Sequence, residues 1–182
     1  VYERSEKIGG LLRLGIPDFK LEKQVVQRRV DQLAAEGVQF ITGAHVGKST
    51  PFSDIEDSND AVLLTGGSTV PRNLDIPGRD LKGVHYAMDF LTQQNRINNG
   101  LQIPDEEKIT AKDKTVVILG GGDTGSDCLG TSLRQGAKQV YQLELLPKPP
   151  NDRKDTDLWP NWPMILRPST SHEEGGTRDY SI

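Results

Sequence analysis

Gly120, Gly122 and Gly125 stand in the spacing G-x-G-x-x-G, directly after the apolar run TVVIL and before a polar segment with helical spacing. In such a frame the first glycine permits a tight turn and the second lets a diphosphate approach the main chain. The third lets helix and strand pack closely. The free N–H groups of the helix's first turn then meet phosphate charge, helped by the helix dipole. Glu144 lies roughly 20 residues further on, near the end of the next apolar run, where a carboxylate accepts hydrogen bonds from an adenosine ribose. A lone G-x-G-x-x-G marks only a turn. The strand–turn–helix–strand frame and the following acid turn it into an expectation of dinucleotide binding. Glu144 leaves NAD and NADP open: a carboxylate suits a free 2′-hydroxyl, yet Lys148 and Arg153 follow and offer cations to a 2′-phosphate. Both are equally well read as solvated loop residues.

No other group of residues points to a second chemistry. His45 and His85 read as loop residues, and His172, in SHEEGG, reads as structural. Cys128 falls on the helix after the glycine turn and reads as a small packed residue, since a lone thiol lacks a redox partner. Trp159 and Trp162 read as anchors of the proline-rich loop WPNWP. Neither a Ser-His-Asp arrangement nor a metal-ligand cluster can be assembled from the motifs. Glu3 closes an opening strand, where the ribose-binding acid of a second nucleotide unit would sit; taken alone, it reads as a surface residue. Gly9 and Gly10, with Leu11 and Leu12, offer bare main chain to a diphosphate, or form an ordinary loop.

The elements that must place these residues follow from periodicity. Residues 21–36 carry Leu21, Val25, Val26, Val30, Leu33 and Ala34 on one stripe, which predicts a helix stopped by Gly37. Strands are expected over 38–42 and 61–64, the latter closed by Thr65, Gly66 and Gly67. Residues 68–110 read as a connection broken by prolines and Asn98-Asn99-Gly100, with one helix near 86–94. A second α/β unit follows: strand 115–119, helix 124–135, strand 139–146. After Pro147 the chain reads as irregular, and the closing SHEEGGTRDYSI shows neither strand nor cap. The chain opens on what reads as a strand's last residues, so both ends read as truncations. The whole is expected to be α/β, a Rossmann-like doubly wound three-layer fold holding parts of two interleaved nucleotide-binding domains. Its domains are expected at 1–70, 71–110 and 111–182.

Composition bounds the partners. A net charge of −4 and dispersed basic residues argue against a polyanion partner. No apolar run is long enough to span a bilayer, and the first residues lack the pattern of a secretory signal. With one cysteine among 182 residues, the chain builds no disulfide of its own, which suits a cytoplasmic setting.

The stretches VYERSEKIGGLLRLGIPDFKL, PRNLDIPGRDLKGVHYAMDFL, VVILGGGDTGSDCLGTSLRQGA and the tail LELLPKPPNDR, LWPNWP and SHEEGGTRDYSI cover most of the chain. Together they resemble the glutamate synthase small (β) subunit family, within the adrenodoxin-reductase-like flavoproteins. The resemblance implies an FAD domain in discontinuous segments with an NAD(P)H domain inserted. It implies that Glu3 binds the FAD ribose, that Gly9, Gly10 and Leu11 lie along the diphosphate and flavin, and that Val46 holds the adenine through main-chain bonds. Thr65, Gly66 and Gly67 would form a second FAD fingerprint, with threonine where the family usually has alanine. Gly120, Gly122, Asp123, Thr124 and Gly125 would hold the NAD(P)H diphosphate. The implied reaction is an oxidoreductase step: hydride passes from NAD(P)H to FAD, and electrons leave through iron–sulfur centres to the large (α) glutamate-forming subunit. The cysteines for those clusters, the first FAD glycine motif and the C-terminal FAD segment are not in this sequence. The chain therefore reads as a central fragment, by itself inactive. No histidine need act as a base, because such chemistry belongs to the cofactors.

Two rivals use the same residues. Another Rossmann enzyme, such as a methyltransferase, would share the turn and acid but give no role to GGLLRLGIPDFKL. A non-catalytic nucleotide-binding or interaction module would keep the fold without the redox step.

Overall fold

The computed structural model describes residues 1–161 and 163–182. The expectation for Trp162 therefore lies outside the described residues. The chain divides into two compact units, Val1–Tyr86 and Ala87–Ile182.

In the first unit, β1 (Tyr2–Glu3) pairs in parallel with β2 (Ile41–Thr42), Tyr2 opposite Ile41 and Glu3 opposite Thr42. Between them run α1 (Gly10–Leu14) and α2 (Lys23–Ala35), and α3 (Phe52–Asp57) follows. The helix expected over 21–36 forms, but its apolar stripe is only partly covered. Val26 is buried, whereas Val25 and Leu33 are 45 % and 36 % exposed. Two strands of two residues each offer too little surface to cover the whole stripe. The same shortage shortens the strand expected over 38–42 to Ile41–Thr42.

The strand expected over 61–64 is absent: these residues take no regular structure, and Leu63 and Leu64 are 86 % and 77 % exposed. An apolar run becomes a strand only when a neighbour takes up its backbone groups, and no described strand lies beside it. The polar stretch before it, in contrast, contains α3, with Ile55 buried on its inner side.

The second unit is a three-stranded parallel sheet in the order β3 (Thr115–Leu119), β4 (Gln139–Glu144), β5 (Thr177–Tyr180). Its register places Val117 opposite Tyr141 and Tyr141 opposite Thr177. The glycine turn leads from β3 into α5 (Asp123–Arg134), which packs over β3 and β4. Flanking α5 are α4 (Ala87–Asn98) and α6 (Thr170–Glu174). Inward residues alternate along the strands, so Ile118 and Val140 meet Cys128 and Leu129 of α5, with Phe90, Leu91 and Ala111 in the same core. This is the parallel α/β plan that the sequence predicts around the glycine turn.

The chain's end corrects the sequence reading. SHEEGGTRDYSI carries both a capped helix and a strand: Ser169 caps α6, and β5 pairs with β4. The cap is disguised because a histidine occupies the place usually filled by Glu or Gln in a capping box. The strand is disguised because TRDY is polar, and among the described strands it pairs with β4 alone. Trp159 corrects another expectation, for the residue is 84 % exposed, too open to anchor the loop.

Candidate dinucleotide site

The second unit assembles a solvent-facing corner where β3 ends. Gly120 takes φ +120°, a conformation that side-chain-bearing residues avoid, and turns the chain out of the strand. Its N–H donates to the Leu143 carbonyl at 2.8 Å, which ties the turn to the neighbouring strand. Gly122 then occupies the N-cap of α5, and no side chain caps that helix. The first intrahelical bond at this end is Ser126 N–H to the Gly122 carbonyl, 3.0 Å. The N–H groups of Asp123, Thr124 and Gly125 precede it and have no acceptor within their own helix.

The three motif glycines are there for three different reasons. A Cβ on Gly122 would meet nothing within 4 Å, so this position is open toward solvent. A Cβ on Gly125 would collide with the Gly120 carbonyl oxygen and lie 2.7 Å from Gln142 Nε2. Gly125 is thus what allows helix and strand to close up, as the spacing predicts. Gly121, outside the motif, faces the same corner: a Cβ there would meet the Glu144 carboxylate, whose flexible end would have to move aside.

Glu144 reaches this corner from the end of β4. Its Oε2 accepts the Gly121 N–H at 2.7 Å, and its Oε1 accepts the Leu146 N–H at 3.2 Å. The carboxylate therefore belongs to the turn's own structure. It retains lone pairs for ribose hydroxyl groups, since an ionised carboxylate offers about four acceptor positions. Exposed main chain, uncapped amides and a fixed carboxylate fit an adenine dinucleotide diphosphate. Asp123 and Thr124 are exposed in the first turn beside it. Lys148 and Arg153 are exposed on the following loop, and the Arg153 Nη2 donates to the Asn161 carbonyl at 3.3 Å. No hydrogen bond or ion pair among the described residues ties either cation to the turn.

Beneath the corner lies a polar line that the motif does not announce. Gln142, 1 % exposed, donates from Nε2 to the Gly120 carbonyl at 2.8 Å. Its Oε1 is 2.7 Å from His172 Nε2, and His172 Nδ1 accepts the Ser169 N–H at 3.0 Å. Ser169 Oγ also contacts Ser126 Oγ on α5. His172 is thus structural, as its sequence context suggests, but it acts directly beneath the turn. One signal was available: in QVYQLE, Gln142 takes an inward position of the alternating strand, where a core side chain is expected.

Cys128 is buried among these core residues, and burial, with Asp127 beside it, pushes its thiol from 9.0 up to about 12. It is a packed, neutral thiol. His45 sits in a turn, where its carbonyl accepts the N–H groups of Lys48 and Ser49. Among the described residues no group of His, Cys, Asp and Glu could hold a metal ion.

The first unit brings some of its expected residues together. Glu3 Oε1 accepts the Ser5 N–H at 2.8 Å, and the Glu3 carbonyl accepts the Ala44 N–H at 3.0 Å, placing this acid beside the segment that leads to Val46. Val46 itself makes a bridge to Thr50. Gly9, at φ +130°, precedes α1, and a Cβ there would press on Val26 and Arg13. Gly10 has open space around it, and Leu11 is 59 % exposed. Thr65, Gly66 and Gly67 are exposed and belong to no regular element.

Comparison with known proteins covers the whole chain. The family model described as pyridine nucleotide-disulphide oxidoreductase matches residues 22–158. The chain is 51 % identical, over all of its length, to the glutamate synthase [NADPH] small chain of Mycobacterium tuberculosis, and covers 38 % of that protein. It is 42 % identical to the glutamate synthase [NADPH] small chain of Bacillus subtilis, again over its full length and 38 % of the relative. It is also 47 % identical to glutamate synthase [NADH] of Schizosaccharomyces pombe, of which it covers 9 %. It thus spans well under half the length of these relatives. Among solved structures, Mycobacterium tuberculosis FprA in complex with NADPH superposes with a TM-score of 0.63 at 21 % identity, over 80 % of this chain and 36 % of that one. This last likeness concerns the fold, which is Rossmann-like.

Proposed function

The chain belongs to the pyridine nucleotide-disulphide oxidoreductase family, and we propose that it is the nucleotide-handling part of a glutamate synthase small chain, an oxidoreductase that uses NAD(P)H and FAD. Residues 111–182 serve as part of the NAD(P)H-binding domain, 1–70 as part of the FAD-binding domain, and 71–110 as the connection. Bound there, the two cofactors supply hydride transfer from nicotinamide to flavin. The chain's own residues bind and orient: the open main chain at Gly120, Gly122 and Gly125, with Asp123 and Thr124, receives the diphosphate, and Glu144 receives a ribose. Lys148 and Arg153 would be the cations offered to a 2′-phosphate. Glu3, Gly9, Gly10, Leu11, Val46, Thr65, Gly66 and Gly67 serve the flavin nucleotide. The iron–sulfur centres of the parent protein would take up the electrons for a large glutamate-forming subunit or domain, in a cytoplasmic setting.

The exposed, uncapped turn that opens α5 carries this reading, and full-length similarity to small chains named for NADPH supports it. A relative named for NADH keeps both nicotinamides in play. A methyltransferase finds no support in these relatives. No helix among the described residues is long and apolar enough to cross a membrane. The test is a fluorescence titration of the chain with NADPH and NADH, alongside its visible absorption spectrum. Saturable binding of either nucleotide, lost in Gly122→Val, is the expected result. Indifference to both nucleotides, or tight binding of S-adenosylmethionine instead, would remove the reading.

A further inference from the structure

Gln142 and His172 form a directed line of hydrogen bonds whose two ends are main-chain groups. At one end the Ser169 N–H can only donate, and at the other the Gly120 carbonyl can only accept. These ends fix everything between them. The Gln142 carboxamide must present its NH2 to Gly120, so its oxygen faces His172. His172 must then carry a proton on Nε2, to donate across 2.7 Å, and none on Nδ1, which accepts from Ser169. Nδ1 also lies 3.1 Å from Ser169 Oγ, which can donate to it, so the neutral Nε2–H imidazole satisfies every one of these contacts, the Ser169 N–H included.

The line ends on the residue that shapes the nucleotide turn. Gly120 sits at φ +120°, and its carbonyl could rotate if nothing held it. The Gln142 NH2 holds that oxygen inward, on the side of Gly125, whose missing Cβ leaves room for the contact. With the carbonyl turned in, the Gly121 N–H of the same peptide points the other way, to the Glu144 carboxylate, and the chain enters the uncapped start of α5. We propose that His172 and Gln142 are positioning residues for dinucleotide binding, holding the Gly120 carbonyl away from the diphosphate through this relay. The inference rests on the reading of the turn as a dinucleotide site.

His172 also stands at the third helical position of α6, where its ring completes the capping box with Ser169. A merely structural histidine would be needed for that cap alone. Two substitutions separate the roles. Glutamine and glutamate both accept from the Ser169 N–H and are the usual capping-box residues. Only glutamine can also donate to Gln142; glutamate would draw the Gln142 NH2 toward itself and away from Gly120. A third variant, Gln142→Glu, keeps side-chain volume but turns the donor facing Gly120 into an acceptor.

The test is titration of the full 182-residue chain with NADPH, for the parent and for His172→Gln, His172→Glu, Gln142→Glu and Gly122→Val, each with its melting temperature. The relay predicts near-parental affinity for His172→Gln. It predicts binding at least about tenfold weaker for His172→Glu and Gln142→Glu, the scale set by one buried hydrogen bond. Equal affinity for His172→Gln and His172→Glu would reduce His172 to a cap and overturn the proposal. Parental binding by Gly122→Val would instead remove the site that the relay serves, and the proposal with it. Loss in Gly122→Val with parental binding in Gln142→Glu would sink the relay alone. If the variants fail to fold, nitrogen-15 spectra of the parent imidazoles decide. His172 must show its proton on Nε2 at neutral pH; a proton on Nδ1 refutes the relay.

Discussion

The Glu144 carboxylate accepts the Gly121 main-chain N–H at 2.7 Å, joining the end of β4 to the middle of the glycine turn. The acid that sequence spacing marks for a ribose is therefore also a strut of the phosphate corner. Removing it leaves a half-buried N–H without its acceptor. Glu144→Ala is expected to lower stability by about 1 kcal/mol, the usual scale for such a bond, and to weaken both nicotinamides together. Glu144→Gln keeps an oxygen for Gly121 and should recover most of the stability. Urea denaturation of the three proteins checks this. Equal midpoints for parent and Glu144→Ala would show that the turn stands without the strut.

Two glycines of the same motif should fail in opposite ways. An alanine at Gly125 puts its Cβ against the Gly120 carbonyl and the Gln142 amide, both held by hydrogen bonds. Gly125→Ala is expected to cost about 1–3 kcal/mol of stability, the range for overpacking. Gly122, at φ −78° with open space around it, accepts an alanine without strain. Gly122→Ala should melt with the parent yet bind NADPH more weakly, because the new methyl group occupies space facing the diphosphate. Thermal melts and nucleotide titrations of both variants check the contrast. A destabilised Gly122→Ala would contradict the open corner.

These contrasts show where sequence was enough. The βαβ frame from Thr115 to Glu144 was legible because strand alternation, glycine spacing and helix periodicity agree there, and contacts local in sequence decide the structure. The run AVLL at 61–64 misled, since nothing in a single apolar run says whether a partner strand lies beside it. The tail misled in the other direction. A polar strand and a histidine in the place of a capping glutamate hide an element that is plain once β4 lies beside it. Of the candidate site, the phosphate corner was legible and its support was not. Gln142 and His172 meet only through the fold, 30 residues apart.

Cys128 supplies a pH dependence. Burial holds its folded-state value at about 12, whereas the exposed thiol of an unfolded chain titrates near 9.0. Below the lower value both states keep the proton, and stability is unaffected. Above it the unfolded chain ionises first, so the folded state binds more protons and stability falls with rising pH. The slope approaches about 1.4 kcal/mol per pH unit at most, up to the folded value. Cys128→Ala should flatten that decline between pH 9 and 11 while costing some packing at neutral pH. The parent thiol should also react with iodoacetamide at pH 8 only after denaturant is added. Urea melts across pH and timed alkylation check both points. Alkylation of the native chain at the rate of a free thiol would show the site to be open.

Arg13 carries the last prediction, in the other unit. Its side chain is buried, with 3 % exposure, and donates from Nε to the Ile8 carbonyl at 2.5 Å and from Nη2 to Gln27 Oε1 at 2.8 Å. It thereby ties the loop before α1 to α2 and lies against Gly9, whose missing Cβ leaves it room. Lysine reproduces the charge but not the fork that reaches two acceptors in different directions. Methionine fills much of the volume and donates nothing, leaving the half-buried Ile8 carbonyl without this donor, while the exposed Gln27 keeps its bond to Asp31. Arg13→Met is therefore expected to destabilise this unit by about 1 kcal/mol, the scale of a lost part-buried hydrogen bond. Arg13→Lys should fall between it and the parent. Limited proteolysis should then cut first within residues 5–20, while NADPH binding at the glycine turn of the other unit stays unchanged. Loss of nucleotide affinity in step with the cleavage would mean that the two units do not stand on their own packing.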